Sequence, residues 1–308
     1  MLGRGVAEAL ETRRAPLLAP EVIAVAGEAD LFVLNLECCI SVRGERWPDP
    51  RKPFFFRAPP RAAELLAGFG VDCVTLANNH TLDFGAVALA DTLEHLDAAG
   101  VAWVGAGATV AEARRPRVLT AGGERLAVVA FSDHPRAYAA TEDGPGIAYA
   151  ELGRPAIPEW LEGSLRELSA SHPTLVLAHW GPNMIGAPVG SVRAAASALR
   201  RAGAAFVAGH SAHVVHGVAD RVAYDLGDFL DDYAVDPQLR NDLGLLFLLE
   251  LRDGAPVALE AVPLKLEFCF TRLADGADAD WIARRFTAAC AALGTEVERR
   301  EGRLVVNV

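Results

Sequence analysis

Six polar residues with metal-ligand chemistry lie at the ends of apolar stretches of this chain. They are Glu37, Asn79, His80, His179, His210 and His213. In an open α/β sheet the carboxyl ends of the strands share one rim, where ligands normally bind. Carboxylate and imidazole groups at one rim are ligands for divalent ions such as Mn, Fe, Ni or Zn. The pattern therefore predicts a site for one or two divalent metal ions.

The eight histidines are not equivalent in this respect. His95 lies in a helical pattern, and His134 and His172 lie in predicted loops, so we assign these three no role in the site. His216 is two residues into a predicted strand and is left open. Asp83 has two interpretations, as the N-cap of the following helix or as a carboxylate that orients His80.

The elements that position these residues are visible in the hydrophobic pattern. Short apolar runs without clean alternation are typical of strands that are covered on both faces. Such runs lie at residues 30–37, 72–78, 125–131, 174–179 and 204–209. Helical spacing occurs at residues 61–69, 87–99, 157–171 and 191–202. The alternation of strands and helices predicts an α/β fold with a mainly parallel sheet.

A different pattern begins after His213. Alternation and turn residues predict antiparallel strands in meander order at residues 214–218, 221–224, 243–251 and 257–264. A helix at about residues 278–293 and a hairpin at 295–308 complete the chain. Because no linker or repeat is visible, we predict a single domain over residues 1–308, with residues 278–308 as an appendage. The proline-rich stretch 46–60 is predicted to be a surface loop that contacts substrate.

Composition excludes several classes of function. Apolar residues make up 52% of the chain and charged residues 22%, which is typical of a globular protein and not of a disordered one. The net charge of −11 disfavours binding to nucleic acid or to an anionic membrane. A small anionic substrate remains compatible, because a metal supplies positive charge locally.

Location follows from the absence of sorting signals in the chain as written. No apolar run approaches the roughly 20 residues of a membrane helix, and no signal peptide is recognisable. The five cysteines lack CxxC spacing, which indicates reduced, buried thiols. We therefore expect a cytoplasmic protein without a membrane span.

Five motifs occur in the order that is found in a known family. They are Asn35-Leu-Glu37, Thr75-Leu-Ala-Asn-Asn-His80 followed by Asp83-Phe-Gly85, His179-Trp-Gly181, the stretch from Gly209 to Gly217, and Tyr224-Asp-Leu-Gly-Asp-Phe229. Together they resemble the CapA family of capsule synthesis proteins, within the calcineurin-like metallophosphoesterase superfamily. The resemblance extends to about residue 265. It implies a four-layer α/β/β/α sandwich and a role in poly-γ-glutamate capsule synthesis with partners in that process.

The resemblance also implies residue roles. Glu37 matches a metal-bridging carboxylate, Asn79 a metal ligand, and His80 the acid beside the leaving group. The later imidazole ligands match His179, His210 and His213.

The leading hypothesis is a metal-dependent hydrolase of a phosphoester or related anionic bond in a small or polymeric substrate. Arg4, Asn35 and Arg57 are predicted to contact this substrate, and Asp83 is placed with His80 in catalysis. The alternative is a non-catalytic accessory factor for assembly or export of an anionic polymer. A third interpretation is a polar rim without function.

This chain departs from the family pattern at three places. It begins at Met1-Leu-Gly-Arg4, whereas the family normally has a preceding strand that ends in Gly-Asp. We therefore expect that the first strand and the first metal ligand are missing and that one of the two metal sites is altered. Asn183 stands where the family often has an acid, and Asp228 stands where it has Asn.

Overall fold

Eight α-helices lie along the described part of the chain. The computed structural model describes residues 1–12 and 16–308. The helices are α1 (Arg4–Thr12), α2 (Pro20–Ala26), α3 (Arg61–Gly68), α4 (Gly85–Ala99), α5 (Val110–Ala113), α6 (Glu159–Ser169), α7 (Gly190–Arg201) and α8 (Gly276–Ala291). A 3₁₀ helix covers Arg136–Tyr138. Within the described ranges, no helix has the length and apolar character that crossing a membrane requires.

Eighteen strands are interleaved with these helices in the described residues. They are β1 (Val33–Asn35), β2 (Cys39–Ile40), β3 (Arg57–Ala58), β4 (Cys73–Thr75), β5 (Ala102–Val104), β6 (Ala106–Gly107), β7 (Arg117–Ala121), β8 (Glu124–Ser132), β9 (Gly146–Ile147), β10 (Thr174–His179), β11 (Phe206–His210), β12 (Val218–Ala219), β13 (Val222–Ala223), β14 (Leu243–Arg252), β15 (Ala255–Glu267), β16 (Phe270–Leu273), β17 (Glu298–Arg300) and β18 (Arg303–Asn307).

The first sheet has three parallel strands in the order β1-β4-β5. Its strands are shorter than the apolar runs 30–37 and 72–78 predict. The reason is visible at Asn78, whose side-chain amide donates to the carbonyl of Leu36 at 2.9 Å. The last backbone bond of this pair runs from the N–H of Leu36 to the carbonyl oxygen of Thr75 at 3.0 Å. Beyond it a side chain replaces the backbone ladder, and the residues that follow form loops at the rim.

The second sheet has six strands in the order β12-β13-β11-β10-β8-β7. The central strand β10 is parallel to both β8 and β11, and β7 and β12 are antiparallel to their neighbours. The bounds of β10 are those predicted from the sequence. β8 and β11 also begin or end within two residues of their predicted bounds, because their apolar runs are buried on both faces.

The two sheets lie between two layers of helices. Along β4, Val74 belongs to the apolar cluster that includes α3 and α4, whereas Cys73 belongs to the cluster shared with the second sheet. Along β10, Leu177 belongs to this shared cluster, whereas Ala178 packs with α6 and α7. Successive strand residues face opposite sides, so the order of layers is helices, sheet, sheet, helices. The predicted α/β/β/α sandwich is confirmed.

A third sheet contains β14, β15, β18 and β17, and β16 also pairs with β15. Leu259 and Ala261 of β15 pack with Phe286 of α8, whereas Val262 packs on α2. β18 pairs with β15, so the C-terminal helix and hairpin, which we predicted as an appendage, contribute to a sheet and a core that also contain earlier strands.

The predicted meander after His213 was wrong in its connections. β13 pairs in parallel with β11, so β12 and β13 extend the second sheet instead of starting a new one. β15 is 13 residues long and pairs with β14 on one edge and with both β16 and β18 on the other. Long-range pairing, which a local pattern does not encode, decides these neighbours.

Candidate functional site

Glu37 lies two residues beyond the end of β1 and is buried. Its Oε2 accepts a hydrogen bond from Asn35 Nδ2 at 3.3 Å, whereas its buried Oε1 has no hydrogen-bond partner among the described residues. Asn35 Oδ1 in turn accepts from Asn78 Nδ2 at 3.0 Å. The Asn35 amide is therefore bound at both ends, to Asn78 through Oδ1 and to Glu37 through Nδ2. Held in this way, Asn35 orients the Glu37 carboxylate. A contact between Asn35 and substrate stays a prediction.

His80 lies in the loop between β4 and α4, with both ring nitrogens directed at carboxylates. Nδ1 is 2.7 Å from Asp83 Oδ2, and Nε2 is 3.9 Å from Glu37 Oε1. The ring stacks on Phe56 with 3.9 Å between ring centroids. Burial lowers the pKa of His80, and the Asp83 carboxylate opposes this shift.

Of the two roles left open for Asp83, the structure shows the contact with His80. The N-cap position of α4 is Phe84, so the capping interpretation was wrong. The same loop leaves Asn79 half-buried, and its Oδ1 atom, which is buried, has no hydrogen-bond partner in the described part of the chain.

His179 and His210 end the neighbouring strands β10 and β11 and are partners in the parallel register. Both are buried, and His179 Nδ1, His179 Nε2 and His210 Nδ1 have no partner among the described residues. Burial lowers the pKa of His210 to about 4. Burial, and then the nearby imidazoles of His134, His210, His213 and His80, hold the pKa of His179 well below its ordinary value. Both rings therefore favour the neutral form, which is the form that binds metals.

Gly209 allows His210 to take this position. A Cβ on Gly209 would lie 2.1 Å from the carbonyl oxygen of Tyr224 and 2.5 Å from Trp180 Nε1. These two groups form a hydrogen bond of 2.9 Å directly beside the glycine. Because real Cβ atoms do not approach so closely, no larger residue fits here without moving the strand that ends at His210.

His213 lies beyond β11 with a left-handed backbone, at φ of 58°. Its Nδ1 is 2.8 Å from Asp228 Oδ1. Its ring is perpendicular to that of Tyr233, with 5.2 Å between the ring centroids. Burial opposes the charged form, but the charges of Asp228, Glu37 and Asp225 outweigh burial and raise the pKa of His213 to about 10. The Asp228 contact directs the other ring nitrogen, Nε2, away from the carboxylate. This is the arrangement that carboxylates impose on metal-binding histidines.

The side chains at this rim have the chemistry of ligands for a divalent metal ion. Buried polar atoms are almost always hydrogen-bonded, yet several buried oxygen and nitrogen atoms near the strand ends have no hydrogen-bond partner among the described residues; they are Glu37 Oε1, Asn79 Oδ1, His179 Nδ1 and Nε2, and His210 Nδ1. Within residues 1–12 and 16–308, no three His, Cys, Asp or Glu side chains are grouped closely enough to hold one ion. The metal ligands and the identity of the ion therefore stay predictions.

His134 is a site neighbour that the sequence interpretation missed. The centroid of its ring is 5.1 Å from the centroid of the His179 ring, and its Nδ1 faces the Asp133 carboxylate. Asp133 Oδ2 also accepts a hydrogen bond from the backbone of Gly181 at 3.0 Å. His134 follows the end of β8 by two residues, so the rule that selected the other histidines was sufficient to find it. His216, which was left open, contacts the carbonyl oxygen of Ile185 at 2.9 Å.

Two arginines predicted to contact substrate have partners within the protein. Arg4 forms an ion pair with Asp232, with its Nη2 2.8 Å from Oδ1. The guanidinium carbon of Arg4 also lies over the ring of Phe56, 5.5 Å from the ring centroid. Arg57 lies over the ring of Phe84 at 4.1 Å, and its Nη1 donates to the carbonyl oxygen of Arg43 at 3.4 Å. Through Phe56, Arg4 adjoins the ring of His80. A substrate contact of Arg4 or Arg57 stays a prediction.

Comparisons with known proteins agree on one family. The family model described as "Bacterial capsule synthesis protein PGA_cap" matches residues 1–233. A "Probable polyglutamine synthesis accessory protein" of Mycobacterium tuberculosis (strain ATCC 25618 / H37Rv) is 30% identical over 292 residues, which are 90% of this chain and 76% of that protein. The "PGA biosynthesis protein CapA" of Bacillus subtilis (strain 168) is 25% identical over 240 residues, 75% of this chain and 61% of that protein.

A solved structure is also similar. A hypothetical protein from Thermus thermophilus gives a TM-score of 0.46 at 16% identity, covering 79% of this chain and 91% of that chain.

Proposed function

The chain belongs to the bacterial capsule synthesis protein family, and we propose that it acts in capsule or poly-γ-glutamate synthesis as a metal-dependent hydrolase. The bond cleaved is a phosphoester or a related anionic bond. The observation that carries this proposal is the set of unpartnered donor atoms on Glu37, Asn79, His179 and His210, next to a carboxylate-oriented His80.

The proposed ligands are Glu37, Asn79, His179, His210 and His213. When bound, one or two divalent ions supply Lewis acidity and neutralise the charge of an anionic substrate. The protein itself has a net charge of −11, so an anionic substrate has little other positive charge to bind.

His80 is the proposed general acid. Its Nδ1 faces Asp83 at 2.7 Å, so Nε2 is the nitrogen left to hold or release a proton toward the substrate. Nε2 is 3.9 Å from Glu37 Oε1, which is too far for a hydrogen bond and leaves Nε2 available. Stacking on Phe56 and the contact with Asp83 fix the ring in this orientation.

Turnover of p-nitrophenyl phosphate and bis-p-nitrophenyl phosphate with added Mn²⁺ tests the proposal. His80→Ala should retain metal and lose turnover by roughly 10²–10⁴-fold, with the smallest loss on leaving groups that need no proton. The matched control is His172→Ala, because His172 precedes the amino end of β10, opposite the carboxyl end where His179 lies. An equal loss on p-nitrophenyl and alkyl esters would count against the acid role of His80.

A second candidate function is a non-catalytic accessory role in assembling or exporting an anionic polymer. It is supported by the name of the Mycobacterium tuberculosis relative and by the lack of a closely grouped ligand set in the described residues. In that case the wild-type protein should bind poly-γ-glutamate in the presence of Mn²⁺ without hydrolysing either phosphoester. Because protein and polymer are both anionic, binding should disappear when the metal is removed.

A further inference from the structure

Lys52 lies in the loop between β2 and β3, and its ammonium group points inward. The side chain is only 13% exposed. Nζ is 3.0 Å from Asp83 Oδ1 and donates to the carbonyl oxygen of Asn79 at 2.8 Å. The backbone N–H of Trp47 donates to the carbonyl oxygen of Asp83 at 2.8 Å, so the loop is attached to the same turn at two points.

The partner of Lys52, Asp83, is completely buried. Its Oδ2 contacts His80 Nδ1 at 2.7 Å and accepts from the backbone N–H of Phe56 at 2.6 Å. Its Oδ1 accepts from the hydroxyl of Tyr138 at 3.2 Å, in addition to Lys52. A buried carboxylate is costly without a counter-charge, and the ammonium of Lys52 supplies that charge.

We propose that Lys52 is a positioning residue that holds Asp83 as an acceptor and thereby determines which ring nitrogen of His80 carries the proton. This inference rests on the proposed function of His80 as an acid. The same ammonium binds the backbone of Asn79, so a single side chain orients both the proposed acid and a proposed metal ligand.

The chemistry follows from the donor and acceptor properties of the groups. An ionised carboxylate only accepts hydrogen bonds, so the nitrogen of His80 that faces it must be protonated. Without the ammonium, Asp83 loses the contact that holds its carboxylate against Nδ1, and the His80 ring is free to place its proton on either nitrogen. The proposed acid role requires Nε2 to be the nitrogen that exchanges a proton with substrate.

The chain offers a matched control, because Lys52 and Lys265 are its two lysines. Lys265 is also largely buried, at 18% exposure, and its Nζ pairs with Asp242 and lies 3.3 Å from Asp278 Oδ2. Lys52→Met, Lys52→Arg and Lys265→Met are compared with the wild type. The readout is the long-range ¹H–¹⁵N spectrum of the histidine rings with Zn²⁺ present, with His80 assigned from His80→Gln.

In the wild type and in Lys265→Met, His80 should show a protonated Nδ1 and a bare Nε2. Lys52→Met should shift the two nitrogen signals of His80 toward the other tautomer, and Lys52→Arg should restore the wild-type pattern. In the turnover assay, Lys52→Met should lower kcat by roughly 10–100-fold with little change in KM, the range found for partners that orient site residues.

An unchanged His80 spectrum in folded Lys52→Met, or an equal change in Lys265→Met, overturns the inference. If Lys52→Met does not fold, Lys52→Gln replaces it, because glutamine keeps a donor but lacks the charge, and the same two outcomes apply. Absence of turnover by the wild-type protein counts against the proposed function alone, since the spectrum still decides the role of Lys52.

Discussion

His179 and His210 are direct partners in the register of two neighbouring parallel strands, and both are buried with ring nitrogens that lack a partner among the described residues. Adjacent strands are about 4.8 Å apart, and register partners project to the same face of a sheet. Two imidazoles are thus held side by side by backbone hydrogen bonds, not by side-chain contacts. The sheet therefore fixes the spacing of the two rings, which we propose as ligands of one metal ion.

His179→Leu should raise the stability of the metal-free protein, because an apolar side chain replaces a buried ring without hydrogen-bond partners. The expected gain in the free energy of unfolding is about 1–3 kcal/mol. Mn²⁺ should raise the Tm of the wild type but not that of the variant. At a Mn²⁺ concentration of 100 times Kd, the wild type should gain about 2.7 kcal/mol in its free energy of unfolding. Thermal unfolding with and without Mn²⁺ measures both effects, and an equal Mn²⁺ shift in both proteins would remove His179 from the ligand set.

Asp228→Asn should weaken Mn²⁺ binding by roughly 10–100-fold, because the carboxylate that orients the His213 ring loses its charge. Isothermal titration calorimetry with Mn²⁺ measures the change. The control is Asp220→Asn, an exposed residue near the same strands. If both variants bind Mn²⁺ as the wild type does, His213 does not depend on Asp228 for its role.

Asp91→Asn should remove stability that depends on pH. The hydrogen-bonded guanidinium of Arg43, aided by Ser41, lowers the pKa of Asp91 to about 2 from an ordinary 3.8. The contribution is present above pH 3.8 and is lost as the pH falls toward 2. The Tm difference between wild type and variant should therefore be constant from about pH 5 to 8 and should shrink below about pH 4.

The control for this experiment is Asp280→Asn, which breaks an ion pair with Arg299 in which both side chains are more than half exposed. Its Tm should follow that of the wild type at every pH, because exposed ion pairs contribute little. A difference between wild type and Asp91→Asn that persists unchanged to pH 2 would contradict the proposed origin of the effect.

Gly209→Ala should destabilise the protein by about 1–3 kcal/mol or more, since the added Cβ overlaps the Tyr224 carbonyl oxygen. It should also weaken metal binding, because His210 follows directly. Gly163→Ala is the matched control: Gly163 lies in α6 with nothing within 4 Å of an added Cβ. There the substitution should stabilise the helix by roughly 0.5–1 kcal/mol. Chemical denaturation of both variants measures the contrast.

Much of the site was determined by the sequence alone. The run 174–179 is a strand that ends at His179, as its apolar residues predicted. The runs before Glu37 and Asn79 also form strands, although shorter ones. Parallel strands bring their carboxyl ends to one rim, so the order of apolar runs and polar ends in the sequence was enough to predict that Glu37, Asn79 and His179 follow or end strands.

Tertiary structure decided what holds these residues. Lys52 reaches Asp83 and Asn79 from a loop, and Tyr138 reaches Asp83 from 55 positions along the chain. Arg4 pairs with Asp232 across 228 positions. Such contacts depend on where separate loops pack, and no local periodicity records this. The neighbours of β15 were hidden for the same reason: hydrophobic pattern determines which face of a strand is buried, whereas the choice of partner strand is made by the packing of the whole chain.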